Sequence, residues 1–218
     1  MDFDYSLIIN SFPLLLEGAF ITIKITVLSV AIGIVVGFLT GTVRISNIKP
    51  LRILSICYIN FMRGTPLLVQ LFFVYFALPL FTGLRISPFF AAIFTCGINS
   101  GAYIAEIFRA GIQSIDDGQM EAGRSLGMNW VQAMWLVVMP QAFKRVIPPL
   151  GNEFIALLKD SSLVSVIGFE ELTRRGQLII ARTYGSVEIW LSVAILYLIM
   201  TLTISRIISY MESRYEIK

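Results

Sequence analysis

Glu121 to Pro140, EAGRSLGMNWVQAMWLVVMP, is a polar, glycine-containing stretch set between two long apolar runs. A chain that crosses a bilayer keeps such a stretch in water, where it touches something soluble. The flanking runs extend that reading. The chain is 56% hydrophobic and 14% charged, whereas soluble domains carry about 25% charge, and its mean hydropathy is +0.80. Ala19 to Val43 is a near-continuous apolar run of about the length that crosses ~30 Å of hydrocarbon. Cys57 to Phe81, Pro88 to Ile112, a less apolar run from Val131 to Ile167, and Val187 to Ile208 are four more candidates. The expected fold is an all-α integral membrane bundle of five transmembrane helices. No repeat, low-complexity tract or linker divides residues 1–218, so one domain is expected.

Lysines and arginines accumulate at the cytoplasmic ends of spans. Arg44, Lys49 and Arg52 follow the first run, Arg124, Lys144 and Arg145 surround the polar stretch, and Arg214 and Lys218 close the chain. Those loops are expected in the cytoplasm, which puts Asp2, Asp4 and Glu17 outside with the amino terminus and the carboxyl terminus inside. Phe169 to Gly185 breaks the trend with Arg174, Arg175 and Arg182, partly offset by Glu170 and Glu171. It reads either as a short amphipathic helix on the outer face or as a solvated interfacial loop. The opening residues are acidic where a signal peptide is basic, so no cleaved leader is expected. Cys57 and Cys96 fall inside apolar runs, where they pack as small hydrophobes. Without histidine there is no zinc-protease signature or histidine relay. No GxxxxGK[ST] loop is present to bind ATP. No metal or nucleic-acid partner is expected.

The opening stretch resembles the coupling signature of bacterial ABC importer permeases: Glu-Ala-Ala, three residues, Gly, nine residues, Ile, one residue, Leu-Pro. Glu121, Ala122, Gly127 and Pro140 match it, while Gly123, Val137 and Met139 are small or apolar exchanges at the remaining positions. Arg63 to Phe73, RGTPLLVQLFF, and Asn99 to Gly111, NSGAYIAEIFRAG, resemble the polar-amino-acid uptake branch of that family. The resemblance implies a type I ABC importer permease-like bundle with a cytoplasmic coupling helix within residues 114–140. It further implies two short helices bent at Gly127 that insert into an ATPase subunit, with Glu121, Ala122, Gly123 and Gly127 as the coupling residues. Glycine permits the sharp turn, and Glu121 is expected in a first helical turn, where an acid meets the positive helix end. The implied partners are a cytoplasmic ABC ATPase dimer holding ATP and Mg, a second permease chain (identical or a paralogue), and an extracytoplasmic amino-acid-binding protein. The implied location is the bacterial inner membrane. The alternative for the stretch is an interfacial helix with no partner, but those favour basic polar faces.

Glu153 and Asp160 are the decisive residues for cargo. Counted from Arg145, a rise of about 1.5 Å per residue places them roughly 12 Å and 22 Å into the bilayer. Acids at that depth cost about 2.5 to 3.5 kcal/mol, so they face a cavity and find a cation. Seven residues apart, they share one helix face about 10.5 Å apart, which suits an amino acid carrying an α-ammonium and a cationic side chain. Arginine, lysine or histidine is the expected cargo, with glutamine as the alternative if the acids are neutralised internally. Two structural alternatives stand beside binding: Asp160 as an N-cap before Ser161 and Ser162, and Glu153 paired with Arg63. Asn99, Ser100, Tyr103, Thr65, Gln70, Ser161 and Ser162 complete the candidate site, each with an alternative as interhelical glue worth about 0.6 kcal/mol. Gly64 and Pro66 are expected to make the second span irregular, which a bilayer tolerates only where protein or a watery cavity satisfies the backbone. An ion-coupled secondary transporter is a further alternative, but no inverted repeat supports it. No constellation for intramembrane covalent chemistry is present.

Overall fold

The structure, a computed structural model, describes residues 3–45 and 48–214. Asp2 and Lys218, two of the residues used to orient the chain, lie outside the described residues. The described regular structure is helical throughout. Its elements are α1 (Tyr5–Ile45), α2 (Lys49–Gly64), α3 (Leu67–Phe72), α4 (Leu78–Thr82), α5 (Pro88–Gln113), α6 (Asp117–Ser125), α7 (Trp130–Ala133), α8 (Met139–Asp160), α9 (Leu172–Thr183) and α10 (Ser186–Arg214). Five-residue π turns, Phe73–Ala77 and Met134–Val138, join α3 to α4 and α7 to α8, and a 3-10 stretch, Ser161–Ile167, follows α8.

Among the described residues α1, α5 and α10 are each long and apolar enough to cross a membrane, and α2 with the α3–α4 arm qualifies as a pair bent by 104°. Helix α1 begins well before the expected Ala19 because Asp4 starts it: its Oδ1 accepts from the N–H groups of Ser6 (2.9 Å) and Leu7 (3.1 Å). The second span, expected from Cys57 to Phe81 and irregular at Gly64 and Pro66, is two arms meeting at Thr65 and Pro66. Helix α8, within the expected fourth run, carries too many charges to qualify by composition, yet it packs against both α5 and α10.

Helices α1 and α5 form the central contact, and small residues bring their backbones together. A Cβ at Gly37 of α1 stands 2.6 Å from Ile104 Cγ2, and one at Gly101 of α5 stands 2.8 Å from Val36 Cγ1, so neither position admits a side chain without separating the pair. Gly111 and Gly151 serve α8 likewise, against Val146 and against Ile208 of α10.

Phe169 to Gly185 resolves as a helix, α9, fastened to the bundle. Thr22 Oγ1 of α1 accepts from Leu172 N–H (3.2 Å). Glu171, expected to offset nearby arginines, is instead a fully buried N-cap. It accepts from the N–H groups of Thr173 (2.9 Å) and Arg174 (2.8 Å) and from the Tyr197 hydroxyl (3.1 Å). Burial pushes its carboxyl up from the ordinary value while these bonds pull it down. Arg175 pairs with Glu17 at 2.6 Å.

Candidate functional site

The bend between α2 and α3 shapes the interior. Thr65 is extended (φ −121°, ψ 144°), because the residue before proline avoids the helical region. Leaving the helix frees backbone carbonyls inside the bundle, and side-chain amides meet them. Gln70 Nε2 donates to Met62 O (2.9 Å), Thr65 O (3.1 Å) and Thr65 Oγ1 (2.8 Å). Asn99 Nδ2 of α5 donates to Met62 O (3.2 Å) and to Gln70 Oε1 (3.0 Å). Gln70 therefore closes the break and does not line the cavity beneath it, whereas Asn99 does both.

That cavity has a volume of about 640 Å³, and its polar walls are Arg63, Thr65, Asn99, Tyr103, Glu153 and Asp160. The two acids come from one face of α8, as the helical period predicts. Glu153 Oε1 accepts from the Ser100 hydroxyl at 2.8 Å, and Ser100 is completely buried. Ser100 thus sits behind the carboxylate and fixes it, outside the cavity wall. Asp160 makes no side-chain capping bond, and the helical backbone runs past it into the 3-10 stretch, so the N-cap alternative is not realised. Ser161 is buried and donates to Leu158 O (2.7 Å), and neither it nor Ser162 lines the cavity. Arg63 shares the cavity with Glu153, but its ion pair is with Glu106 (4.0 Å), and its guanidinium lies 5.2 Å from the Tyr103 ring centroid. Among the lining residues two carboxylates face one guanidinium, a formal acidic excess.

Glu106 is the site residue the sequence reading passed over. It pairs with Arg44 of α1, with Arg109 of α5 (2.8 Å) and, more distantly, with Arg63 of α2. The i,i+3 spacing of Glu106 and Arg109 was its only local signal. A second cavity of about 510 Å³ adjoins the first, sharing Arg63, Tyr103 and Glu153 and reaching Ser114 and Arg145.

The polar stretch between α5 and α8 is two short helices with a bend. Helix α6 ends in a Schellman arrangement: Met128 N–H donates to Gly123 O (3.2 Å) and Gly127 N–H to Arg124 O (3.0 Å), with Gly127 at φ +88°. Two residues later Asn129 and Gln132 form a capping box that starts α7. Glu121 is not in a first turn as expected, because Asp116 caps α6 five residues ahead of it and Asp117 takes the first-turn place. Glu121, Ala122 and Gly127 are exposed. Gly123 is buried, with the position of its missing Cβ 3.1 Å from Ala133 Cβ, so its smallness lets α6 lie on α7. The backbone then continues as helix from Trp130 through the π turn to Asp160, joining the bend to both acids.

The profile of the family described as "Binding-protein-dependent transport system inner membrane component" matches residues 31–217. Over all 218 residues of both chains, the protein is 48% identical to the glutamine transport system permease protein GlnP of Escherichia coli strain K12. It is 39% identical to the arginine transport system permease protein ArtQ of Bacillus subtilis strain 168, covering 99% of each chain. A crystal structure of an amino acid ABC transporter with histidines superposes with a TM-score of 0.94 at 46% identity, covering 98% of this chain and all of that one. With its type I importer fold, this chain belongs to the binding-protein-dependent transport system inner membrane components, as an amino-acid ABC importer permease.

Proposed function

We propose that this chain carries a basic amino acid (arginine, lysine or histidine) through the cavity beneath the α2–α3 break. The carrying observation is the placement of Glu153 and Asp160 on one wall, Glu153 held from behind by Ser100. One carboxylate receives the α-ammonium and the other the side-chain cation, each a charge-assisted hydrogen bond strengthened by the absence of bulk water. Tyr103 and Asn99 from α5 and Thr65 from the α2–α3 break supply neutral polar contacts in the same cavity.

The partner ATPase dimer binds ATP and Mg, and this chain forms no covalent bond with its cargo. A second permease chain, identical or paralogous, completes the pathway, and an extracytoplasmic binding protein delivers the amino acid. The amino terminus lies outside and the carboxyl terminus in the cytoplasm. Glu121, Ala122, Gly123 and Gly127 form the docking bend. Movement there reaches the acids along the Trp130 to Asp160 helix, about 45 Å at 1.5 Å per residue.

Glutamine is the second reading, favoured by the 48% identity to a glutamine permease. In that case Arg63 neutralises one acid and the cavity reads an amide. Uptake into vesicles holding the assembled complex separates the two. On the basic reading, Asp160→Asn and Glu153→Gln each raise the KM for arginine by about tenfold while ATPase co-purification persists. Unchanged arginine kinetics in both variants, or glutamine uptake that arginine in excess does not inhibit, overturns the basic reading.

A further inference from the structure

We propose that Arg63 and Tyr103 form the internal barrier between the cargo cavity and a separate exit vestibule, and that a cationic cargo opens it by displacing Arg63. This rests on the cargo reading above. The two cavities share Arg63, Tyr103 and Glu153, and the second extends to Ser114 and Arg145 at the end of the bundle that carries the coupling bend. The guanidinium lies 5.2 Å from the Tyr103 ring centroid, within reach of a cation–π contact, so the pair stands where the two spaces meet.

The charge arrangement changes sign across this pair. The cargo cavity is lined by Glu153 and Asp160 against Arg63, a formal acidic excess of one, while the vestibule is lined by Arg63, Arg109 and Arg145 against Glu106 and Glu153, a formal basic excess of one, with Arg44 also paired to Glu106. A cation leaving the two acids therefore meets a net positive cluster, which opposes passage in the resting state.

Arg63 is the member of that cluster built to move. Glu106 Oε2 already accepts from Arg109 Nη2 at 2.8 Å and Nε at 2.9 Å, and Oε1 is paired with Arg44, whereas Arg63 stands off at 4.0 Å with its side chain 44% exposed. A third guanidinium on a carboxylate already paired with two is weakly held. A guanidinium or ammonium on the cargo can take its place over the Tyr103 face, letting the weakly held Arg63 swing aside. A cargo without a side-chain cation lacks that means of displacing it.

The test is leak of preloaded radiolabelled arginine from proteoliposomes containing the complete transporter, without ATP or binding protein. Arg63→Ala is expected to raise the leak roughly tenfold. Arg63→Lys keeps a cation over the ring and is expected to restore most of the barrier, which a merely structural arginine does not explain. If Arg63→Ala does not assemble with the ATPase, Tyr103→Leu, which leaves the Arg63–Glu106 contact in place, is expected to leak to a similar degree. Wild-type leak from both Arg63→Ala and Tyr103→Leu overturns the barrier. Asp160→Asn uptake, measured in parallel, separates the two proposals: if it is unaffected while Arg63→Ala leaks, the barrier stands and the cargo reading falls.

Discussion

Two of the helix breaks among the described residues, at Gly127 and at Thr65–Pro66, satisfy the freed backbone in opposite ways. At Gly127 the bend is exposed, and neighbouring residues close it: a Schellman turn ends α6 and an Asn129–Gln132 capping box starts α7. At Thr65–Pro66 the chain turns beside the cavity with its freed carbonyls facing the bundle interior, and two buried side-chain amides, one on another helix, meet them. The difference follows from the solvent. Water can serve an exposed helix end, whereas an interior end costs the full desolvation of each unmet group. An outer bend can therefore be written in a few consecutive residues, while an inner one draws on residues far along the chain.

The largest expected effect comes from Gln70→Leu. It removes the donor to Met62 O, Thr65 O and Thr65 Oγ1 and leaves Asn99 Nδ2 with Met62 O alone, costing about 3 kcal/mol at 1–3 kcal/mol for each buried polar group left unmet. Thermal unfolding of the purified complex should fall by several degrees, and an unshifted midpoint would mean the break is closed some other way. Gly127→Val is the matching change outside. At φ +88° a β-branched residue costs about 2 kcal/mol, felt locally, so the midpoint moves little while ATP hydrolysis no longer drives uptake. Coupled transport at wild-type rates would refute the role given to this bend.

The smallest effect sharpens the contrast. Gly64 beside the inner break has nothing within 4 Å of a built Cβ and no left-handed backbone, so Gly64→Ala should stabilise α2 by up to about 0.5–1 kcal/mol. A destabilised variant in the same melting assay would show that glycine, and not Pro66 with its amide partners, makes the inner bend.

The same contrast separates what was legible in the sequence from what was not. The outer bend could be read from Glu121 to Pro140 because its chemistry is local, and the shared face of Glu153 and Asp160 because helical period alone sets it. Even so, Glu121 was misplaced by a turn, since the Asp116–Asp117 start of α6 competes with it as the acidic helix entry. Gln70 and Asn99 could not be sorted by periodicity. Whether an interior amide meets a cavity or a carbonyl depends on the direction of the α2–α3 bend, which Pro66 permits but tertiary packing decides. Ser100 is similar: its position on α5 was plain, but its place behind Glu153 exists only once α5 and α8 are packed. Glu106 drew no attention because its partners Arg44 and Arg63 sit on two other helices.

The central claim is that the Glu153–Asp160 wall holds the cargo. Equilibrium binding of radiolabelled arginine to the nucleotide-free, detergent-purified complex, without binding protein, tests it most directly. Saturable binding by the wild-type complex that is lost in Glu153→Gln with Asp160→Asn, while the ATPase remains bound, is the predicted result. Retention of the same binding in that double variant contradicts the account.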